Sequence, residues 1–136
     1  NQRCLHGWLI ASTAGTGAPY PAMIVMHGWG GNAAMMLPLA RPLHEAGFAT
    51  LFIDARCHGA SDDDSFASLP RFAEDAEHAF EWLAARREID AARIGIHARR
   101  PRRLSKWYVS ASVTQWLSSS AGSASAAENE MPRLPS

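Results

Sequence analysis

The chain has 136 residues, with 13 basic and 13 acidic side chains and a hydrophobic share of 47%. These values are typical of one globular domain, and the zero net charge gives no sign of a nucleic-acid or anionic-surface partner. No apolar run is long enough to span a bilayer. The two cysteines, Cys4 and Cys57, form neither a disulfide framework nor a metal-ligand pattern. We therefore expect a cytoplasmic setting, with no metal and no membrane.

The charges are unevenly distributed along the chain. Residues 1–98 carry 7 Lys and Arg against 11 Asp and Glu, whereas residues 99–136 carry 6 against 2. All six histidines precede residue 99, and neither Asp nor His follows Ala98. We place a boundary there, with 1–98 as the structured unit and 99–136 as a divergent tail.

The first half of residues 1–98 begins with two strand patterns. Residues 5–11 read as a strand that ends in a turn-forming segment. Residues 22–27 form a short, continuous apolar run, which is typical of a strand buried on both faces. Residues 37–46 have helical content, and Pro42 predicts a short or kinked helix.

The second half continues the alternation of strand and helix. Residues 48–53 predict a second buried strand, residues 69–87 a helix with Ser68 as its N-cap, and residues 94–97 a third strand. The helix has one apolar face at helical spacing, made of Leu69, Phe72, Ala76, Ala79, Phe80 and Leu83. This order predicts an α/β fold, with a partial doubly wound sheet of about four strands and an irregular tail after it. Function in such sheets lies where the strands end at their carboxyl side.

Three segments at those strand ends carry recognisable motifs. They are HGWGGN at 27–32, DARCHGASD at 54–62 and ARIGI at 92–96. In order and spacing they resemble the α/β-hydrolase superfamily, of the serine aminopeptidase and dienelactone-hydrolase-like esterase type. The resemblance covers residues 4–98, the N-terminal part of such a domain. It implies serine hydrolysis of an ester, amide or peptide bond in a small acyl substrate, without cofactor or metal.

The resemblance assigns the loop after the first buried strand to an oxyanion hole. The loop residues are His27, Gly28, Trp29 and Gly30, with the backbone N–H of Trp29 as the donor and its ring as a wall of the acyl pocket. A donor aimed at the developing negative charge lowers the barrier by roughly 3 kcal/mol. The alternative is that HGWGGN is only a strand-to-helix turn.

The loop after the second buried strand is expected to be architectural. Asp54 is interpreted as a turn-forming carboxylate rather than a catalytic one. The acidic run at 62–64 could form a metal site with the neighbouring histidine, but a solvated acidic loop is the preferred interpretation. The residues assigned to this structural loop are Asp54, Arg56, His58, Gly59 and Ser61.

The motif that would complete a hydrolase is missing. A nucleophile elbow, G-x-S-x-G, would follow the third strand, but the sequence continues HARRPRRLSK and contains no such motif elsewhere. No Asp or His follows for the remaining triad positions. We therefore predict no catalytic nucleophile, acid or base, and interpret the chain as a truncated hydrolase that is inactive alone. The alternative is a non-catalytic protein that binds a ligand or partner.

Residues 99–136 differ in amino-acid composition from residues 1–98. A basic block at 99–106 precedes an alternating segment at 107–113 and a Ser- and Ala-rich end that predicts disorder. We interpret this tail as an out-of-frame reading of a hydrolase gene, with a genuine accessory tail as the alternative. Nucleic-acid association through 99–106 is a third, less favoured hypothesis. Unless 107–113 pairs with the third strand, the open sheet edge predicts self-association.

Overall fold

The computed structural model describes residues 3–13, 17–98, 128–130 and 134–135. The elements are, in chain order, β1 (Cys4–Leu5), β2 (Gly7–Ile10), β3 (Tyr20–Met26), a 3₁₀ helix (Ala33–Leu39), α1 (Ala40–Glu45), β4 (Ala49–Ile53), α2 (Leu69–Ala84), β5 (Ile89–Ala98), β6 (Glu128–Glu130) and β7 (Leu134–Pro135). None of the helices in these ranges is both long and apolar enough to cross a lipid bilayer.

The main sheet has the strand order β5-β3-β4-β2-β6. Strand β3 runs parallel to both β4 and β5, whereas β2 is antiparallel to β4 and to β6. Met26 at the end of β3 lies beside Ile53 of β4 and Ala98 of β5. The carboxyl ends of three strands therefore meet at one edge. Strands β1 and β7 form a separate antiparallel pair.

Both faces of this sheet are covered, which explains why β3 and β4 are apolar throughout. On one face, Ile24 and Leu51 pack with Leu83 of α2. On the other face, Val25 and Phe52 pack against the 3₁₀ helix and α1. Successive strand residues point to opposite faces, so a strand buried on both sides needs no polar alternation. The predicted partial α/β fold is confirmed.

Three elements differ from the sequence-based expectation. The strand expected at 5–11 is divided into β1 and β2, which pair with different strands. The helix expected at 37–46 is split, because Asn32 caps a 3₁₀ helix from Ala33 and α1 begins only at Ala40. Pro42 therefore lies in the first turn of α1, where a backbone N–H has no intrahelical acceptor, and α1 is short, with 6 residues. Strand β5 begins at Ile89 rather than at residue 94, with an irregularity in its pairing to β3.

The helix α2 follows the prediction closely. Ser68 is its N-cap, and the Ser68 hydroxyl accepts the N–H of Arg71 at 3.4 Å. The helix ends at Ala84, three residues before the expected end. Two residues of its predicted apolar face, Leu69 and Phe80, are exposed at 43% and 37%, so the buried stripe is narrower than the sequence pattern indicated.

The tail expected to be irregular contributes two short strands, β6 and β7. Strand β6 pairs with β2 and β7 with β1, by backbone register. The basic block at 99–106 and the alternating segment at 107–113 lie outside the described residues. In the part of the chain that the structure describes, β5 pairs on one side only, with β3.

Candidate oxyanion loop

Two histidines connect the loop after β3 to the loop after β4. The N–H of Ala55 donates to Nε2 of His27 at 3.0 Å, and the N–H of Gly30 donates to Nε2 of His58 at 3.2 Å. Each loop thus supplies one imidazole acceptor and one backbone donor to the other. The parallel pairing of β3 with β4 brings the loops together, because both leave the sheet at the same edge.

The tautomer of both rings follows from these contacts. A backbone N–H can only donate, so each Nε2 must be unprotonated and each Nδ1 must carry the hydrogen. Nδ1 of His27 then donates to the carbonyl of Gly28 at 2.7 Å, and Nδ1 of His58 donates to the carbonyl of Arg56 at 2.9 Å. Both rings have two hydrogen bonds as neutral imidazoles.

The pKa of His27 is lowered from its ordinary value of 6.5. Burial is the largest cause, because the residue is only 2% exposed and a charged ring would lose its hydration. The hydrogen bond to Gly28 opposes this, the nearby His58 adds to the lowering, and Asp54 opposes it. His27 is therefore neutral at pH 7 and acts as a fixed structural link.

Two backbone donors of the loop, and one just after it, are already committed. Gly30 donates to His58, and Gly31 donates to the carbonyl of Gly28 at 2.9 Å. Ala33, at the start of the 3₁₀ helix, donates to Oδ1 of Asp54 at 2.6 Å. Among the hydrogen bonds of the described residues, none uses the N–H of Gly28, Trp29 or Asn32. The loop therefore has an uncommitted donor at the position that the resemblance indicated.

An aromatic cluster lies beside the loop, made of the rings of His27, Trp29, His58 and Phe72. The Trp29 ring is 56% exposed and stacks on Phe72 of α2, with centroids 5.7 Å apart and planes 19° apart. His27 and His58 both meet Phe72 edge-on, at 5.8 and 5.2 Å between centroids. Sequence reasoning placed Phe72 only in the core. Its contact with Trp29 joins residues far apart in the chain, so local spacing gave no signal for it.

Asp54 organises the turn beneath the two loops. Its Oδ1 accepts the N–H of Ala33, and its Oδ2 accepts the N–H of Ala60 at 3.0 Å. Nδ1 of His6 lies 3.2 Å from Oδ2. The Ser61 hydroxyl donates to the backbone carbonyl of Asp54 at 2.5 Å. Every one of these contacts holds loop backbone or strand, so the geometry of this carboxylate is that of a turn former.

Arg56 extends the turn into a buried charge network. Its Nε and Nη2 contact Oδ1 of Asp75 at 2.8 and 2.7 Å, and its backbone N–H donates to Oδ2 of Asp75 at 2.9 Å. Nη1 lies 3.3 Å from Asp64, and Nη2 lies 3.1 Å from Glu74. The Asp75 side chain is fully buried, whereas that of Glu74 is 55% exposed. Asp75 was missed by sequence reasoning, although its position within the apolar stripe of α2 was a signal.

The acidic run at 62–64 is only partly solvated, contrary to expectation. The Asp64 side chain is 5% exposed and pairs with Arg3 at 2.9 Å and with Arg71. Burial by itself raises the pKa of Asp64, but the hydrogen bonds from Ser65 and Arg71 and the charges of Arg3 and Arg71 outweigh it and lower the pKa to about 2. In the described ranges, no cluster of three or more His, Cys, Asp or Glu side chains is placed to hold a metal ion.

The third strand end carries no recognisable chemistry in its sequence. Strand β5 ends at Ala98, with Ile96 39% exposed and His97 exposed. A hydrolase of the resembled family would place its nucleophile directly after this strand. The chain has HARRP at 97–101, and the residues from 99 onward lie outside the described part.

Comparisons with known proteins give partial matches. No protein-family model matches the chain. An uncharacterised protein of Mycobacterium tuberculosis is 36% identical over 90 residues, which are 66% of this chain and 31% of that protein. An uncharacterised protein from the traX-finO intergenic region of Escherichia coli is 35% identical over 79 residues, 57% of this chain and 28% of that protein. The chain thus spans about a third of the length of the curated relatives it matches.

A solved structure shares the fold. An acetyl xylan esterase from Paenibacillus sp. R4 superposes with a TM-score of 0.55 and 23% sequence identity, covering 69% of this chain and 36% of that chain. Over 69% of its length, the chain therefore shares an α/β arrangement with 36% of that esterase structure.

Proposed function

We propose that this chain carries the oxyanion-hole part of a serine hydrolase that acts on an ester, amide or peptide bond of a small acyl substrate. One observation carries the proposal. The N–H of Trp29 is uncommitted at the carboxyl end of β3, while those of Gly30 and Gly31 are held by other groups. Acyl transfer needs such a preorganised donor, because negative charge develops on the former carbonyl oxygen.

The proposal includes that the chain by itself does not turn over a substrate. Its sequence has no G-x-S-x-G, and neither Asp nor His follows Ala98. A serine hydroxyl without a base at hydrogen-bond distance is a weak nucleophile at neutral pH. The oxyanion loop would then act only with a nucleophile, acid and base from outside this sequence.

A chimera tests the role of Trp29 directly. Residues 99–136 are replaced by the part of the Mycobacterium tuberculosis relative that follows its matched segment. We expect this chimera to hydrolyse short-chain 4-nitrophenyl esters and to react with a fluorophosphonate probe. Trp29→Pro removes the backbone N–H and should lower kcat by roughly 100- to 1,000-fold. Trp29→Ala keeps the N–H and is the matched control for loss of the ring.

The outcomes separate the backbone from the side chain. Equal activity of Trp29→Pro and Trp29→Ala in a folded chimera would contradict the oxyanion role. The chain in its present sequence should show no labelling by the fluorophosphonate.

Sequencing of codons 90–136 and translation of all frames tests the frameshift interpretation, which predicts G-x-S-x-G after RIG in another frame. Without such a frame, the tail is genuine.

A second candidate is a non-catalytic protein that binds an acyl ligand on the aromatic cluster. The exposed Trp29 ring, stacked on Phe72, is the observation that favours it. Saturable quenching of tryptophan fluorescence by an acyl ester, without turnover and lost in Trp29→Phe, would support this function. Nucleic-acid association through 99–106 stays a prediction, to be tested by salt-dependent retention on DNA or RNA.

A further inference from the structure

We infer that His58 is a positioning residue of the oxyanion loop. By accepting the N–H of Gly30, its Nε2 fixes the peptide next to the Trp29 donor, so that the Trp29 N–H is the one presented to a substrate. This inference rests on the proposed function, because it gives His58 a task only if the loop binds a developing oxyanion. The motif resemblance treated His58 merely as part of a turn.

His58 and His27 form a reciprocal pair of contacts between the two loops, which we call the latch. Each imidazole accepts from the opposite loop through Nε2 and donates to a carbonyl of its own loop through Nδ1. The two ring centroids lie 4.9 Å apart. The His27 half is buried, whereas the bond from Gly30 to His58 is exposed to solvent. The His58 half is therefore the one that can open without unfolding the sheet.

The latch requires neutral imidazoles. Protonation of Nε2 on His58 would place two hydrogens against each other, one on Nε2 and one on the Gly30 nitrogen. The opposing N–H groups would separate, and the peptide after Trp29 would lose its fixed direction. A preorganised donor loses much of its effect when its direction is free, because reorientation then costs energy during the reaction.

The groups that face the His58 ring come from the loop after β3 and from α2. From the loop after β3 it faces His27 and Trp29, and from α2 it faces the apolar Phe72. The Asp54 carboxylate is engaged by Ala33, Ala60 and His6. The guanidinium of the neighbouring Arg56 is turned to acidic partners, which are Asp64, Glu74 and Asp75.

Nuclear magnetic resonance of the ¹⁵N-labelled full chain tests the latch. Long-range ¹H–¹⁵N spectra should show His58 with an unprotonated Nε2. Water exchange of the Gly30 amide should be at least tenfold faster in His58→Phe, which keeps a ring against Phe72 but removes the acceptor. His58→Gln keeps an acceptor and should restore part of the protection. His78→Phe, on α2, is the matched control and should leave Gly30 unchanged.

The pH dependence tests the hydrogen bond between Gly30 and His58 itself. Protection of the Gly30 amide should fall with the same midpoint as the titration of the His58 ring. A protonated Nε2 on His58 at neutral pH would overturn the inference. So would unchanged Gly30 exchange in His58→Phe, provided that the core amides of β3 and β4 show the variant to be folded.

The hydrolytic chimera separates this inference from the proposed function. If both hold, His58→Phe in the chimera should lower kcat at least tenfold with an unchanged KM, and His58→Gln should lose less. If Trp29→Pro leaves kcat unaltered while the amide experiment succeeds, the oxyanion role fails and the latch remains as structure. If the amide experiment fails while Trp29→Pro lowers kcat, the oxyanion role stands without His58.

Discussion

At the scale of single residues, Asp75 is a fully buried carboxylate whose charge is offset by Arg56. Its fully buried carboxylate accepts from the backbone, Nε and Nη2 of Arg56. The hydrogen bond to Asp75 is the main cause that raises the pKa of Arg56, so the guanidinium stays charged. A buried ion pair is costly to form, but removal of one partner is worse, because it leaves the other charge without compensation.

Asp75→Asn should therefore destabilise the fold strongly. The neutral amide cannot balance the guanidinium, and we expect the free energy of unfolding to fall by about 3–5 kcal/mol. Urea unfolding followed by circular dichroism measures the change. Glu74→Gln is the matched control, because Glu74 contacts the same guanidinium but is 55% exposed, and it should cost only about 0–1 kcal/mol. Similar losses in the two variants would show that burial does not set the energy of this network.

The neutral state of His27 predicts a pH dependence of stability. The unfolded ring titrates near 6.5, and the folded ring has a lower pKa. Between these two values the unfolded state binds more protons, so the free energy of unfolding rises with pH. The contribution of His27 is complete above pH 6.5 and is lost as pH falls through the folded pKa.

Urea titrations from pH 7.5 downward through that window check this sign. His27→Gln can still accept the N–H of Ala55 but does not titrate, so its stability should depend less on pH. His78→Gln removes a partly exposed histidine of α2 and should keep the slope of the original chain. A slope that is the same in all three proteins would exclude His27 as the titrating group.

At the scale of elements, the loop 54–62 depends on the space left by Gly59. Gly59 has φ of +55°, and a Cβ built there would lie 2.2 Å from the carboxylate of Asp54. Gly59→Ala should therefore displace Asp54 and weaken its hydrogen bonds to Ala33 and Ala60. The free energy of unfolding should fall by more than the backbone cost of a left-handed alanine, which is about 1–2 kcal/mol. Gly17→Ala is the control, because Gly17 has φ of +77° with no atom within 4 Å of the built Cβ. Thermal unfolding of both variants isolates the clash, and equal losses would contradict it.

The sequence predicted these elements wherever one local pattern decided the structure. Apolar runs placed β3 and β4 within two residues, and Ser68 marked the start of α2. The start of β5 was missed because backbone pairing at Ile89 precedes the apolar residues that signal the strand. Strands β6 and β7 have three and two residues, which is too short for any periodicity to show.

The candidate site was predictable only in part, for the same reason. The loop from His27 to Gly30 carries its glycines in sequence, so a motif can reveal it. The partners that fix the loop are His58 and Phe72, and they come from different elements. Pairing of Arg56 with Asp75 likewise joins a loop to a helix 19 residues away. Such contacts depend on the three-dimensional arrangement of strands, which local spacing does not encode.

At the scale of the whole molecule, we expect the edge at β5 to determine whether the chain associates with itself in solution. Among the described residues, β5 has one paired side, and Ile96 is 39% exposed on it. An unpaired strand edge offers backbone donors and acceptors to another chain, and exposed apolar side chains add to the attraction. We therefore expect the isolated chain to self-associate, with the weight-average mass rising with concentration.

Ile96→Lys tests whether that edge is the contact. A lysine on an edge strand opposes strand-to-strand pairing, because its charge would have to be desolvated in the joint sheet. Light scattering after gel filtration across a dilution series should show association in the original chain and less in Ile96→Lys. Phe80→Lys is the matched control, since Phe80 is 37% exposed and belongs to α2 rather than to the edge strand. Association lost equally in both variants would indicate general hydrophobic contact. A monomer with a sharp, reversible melt at every concentration would show that the edge is already protected.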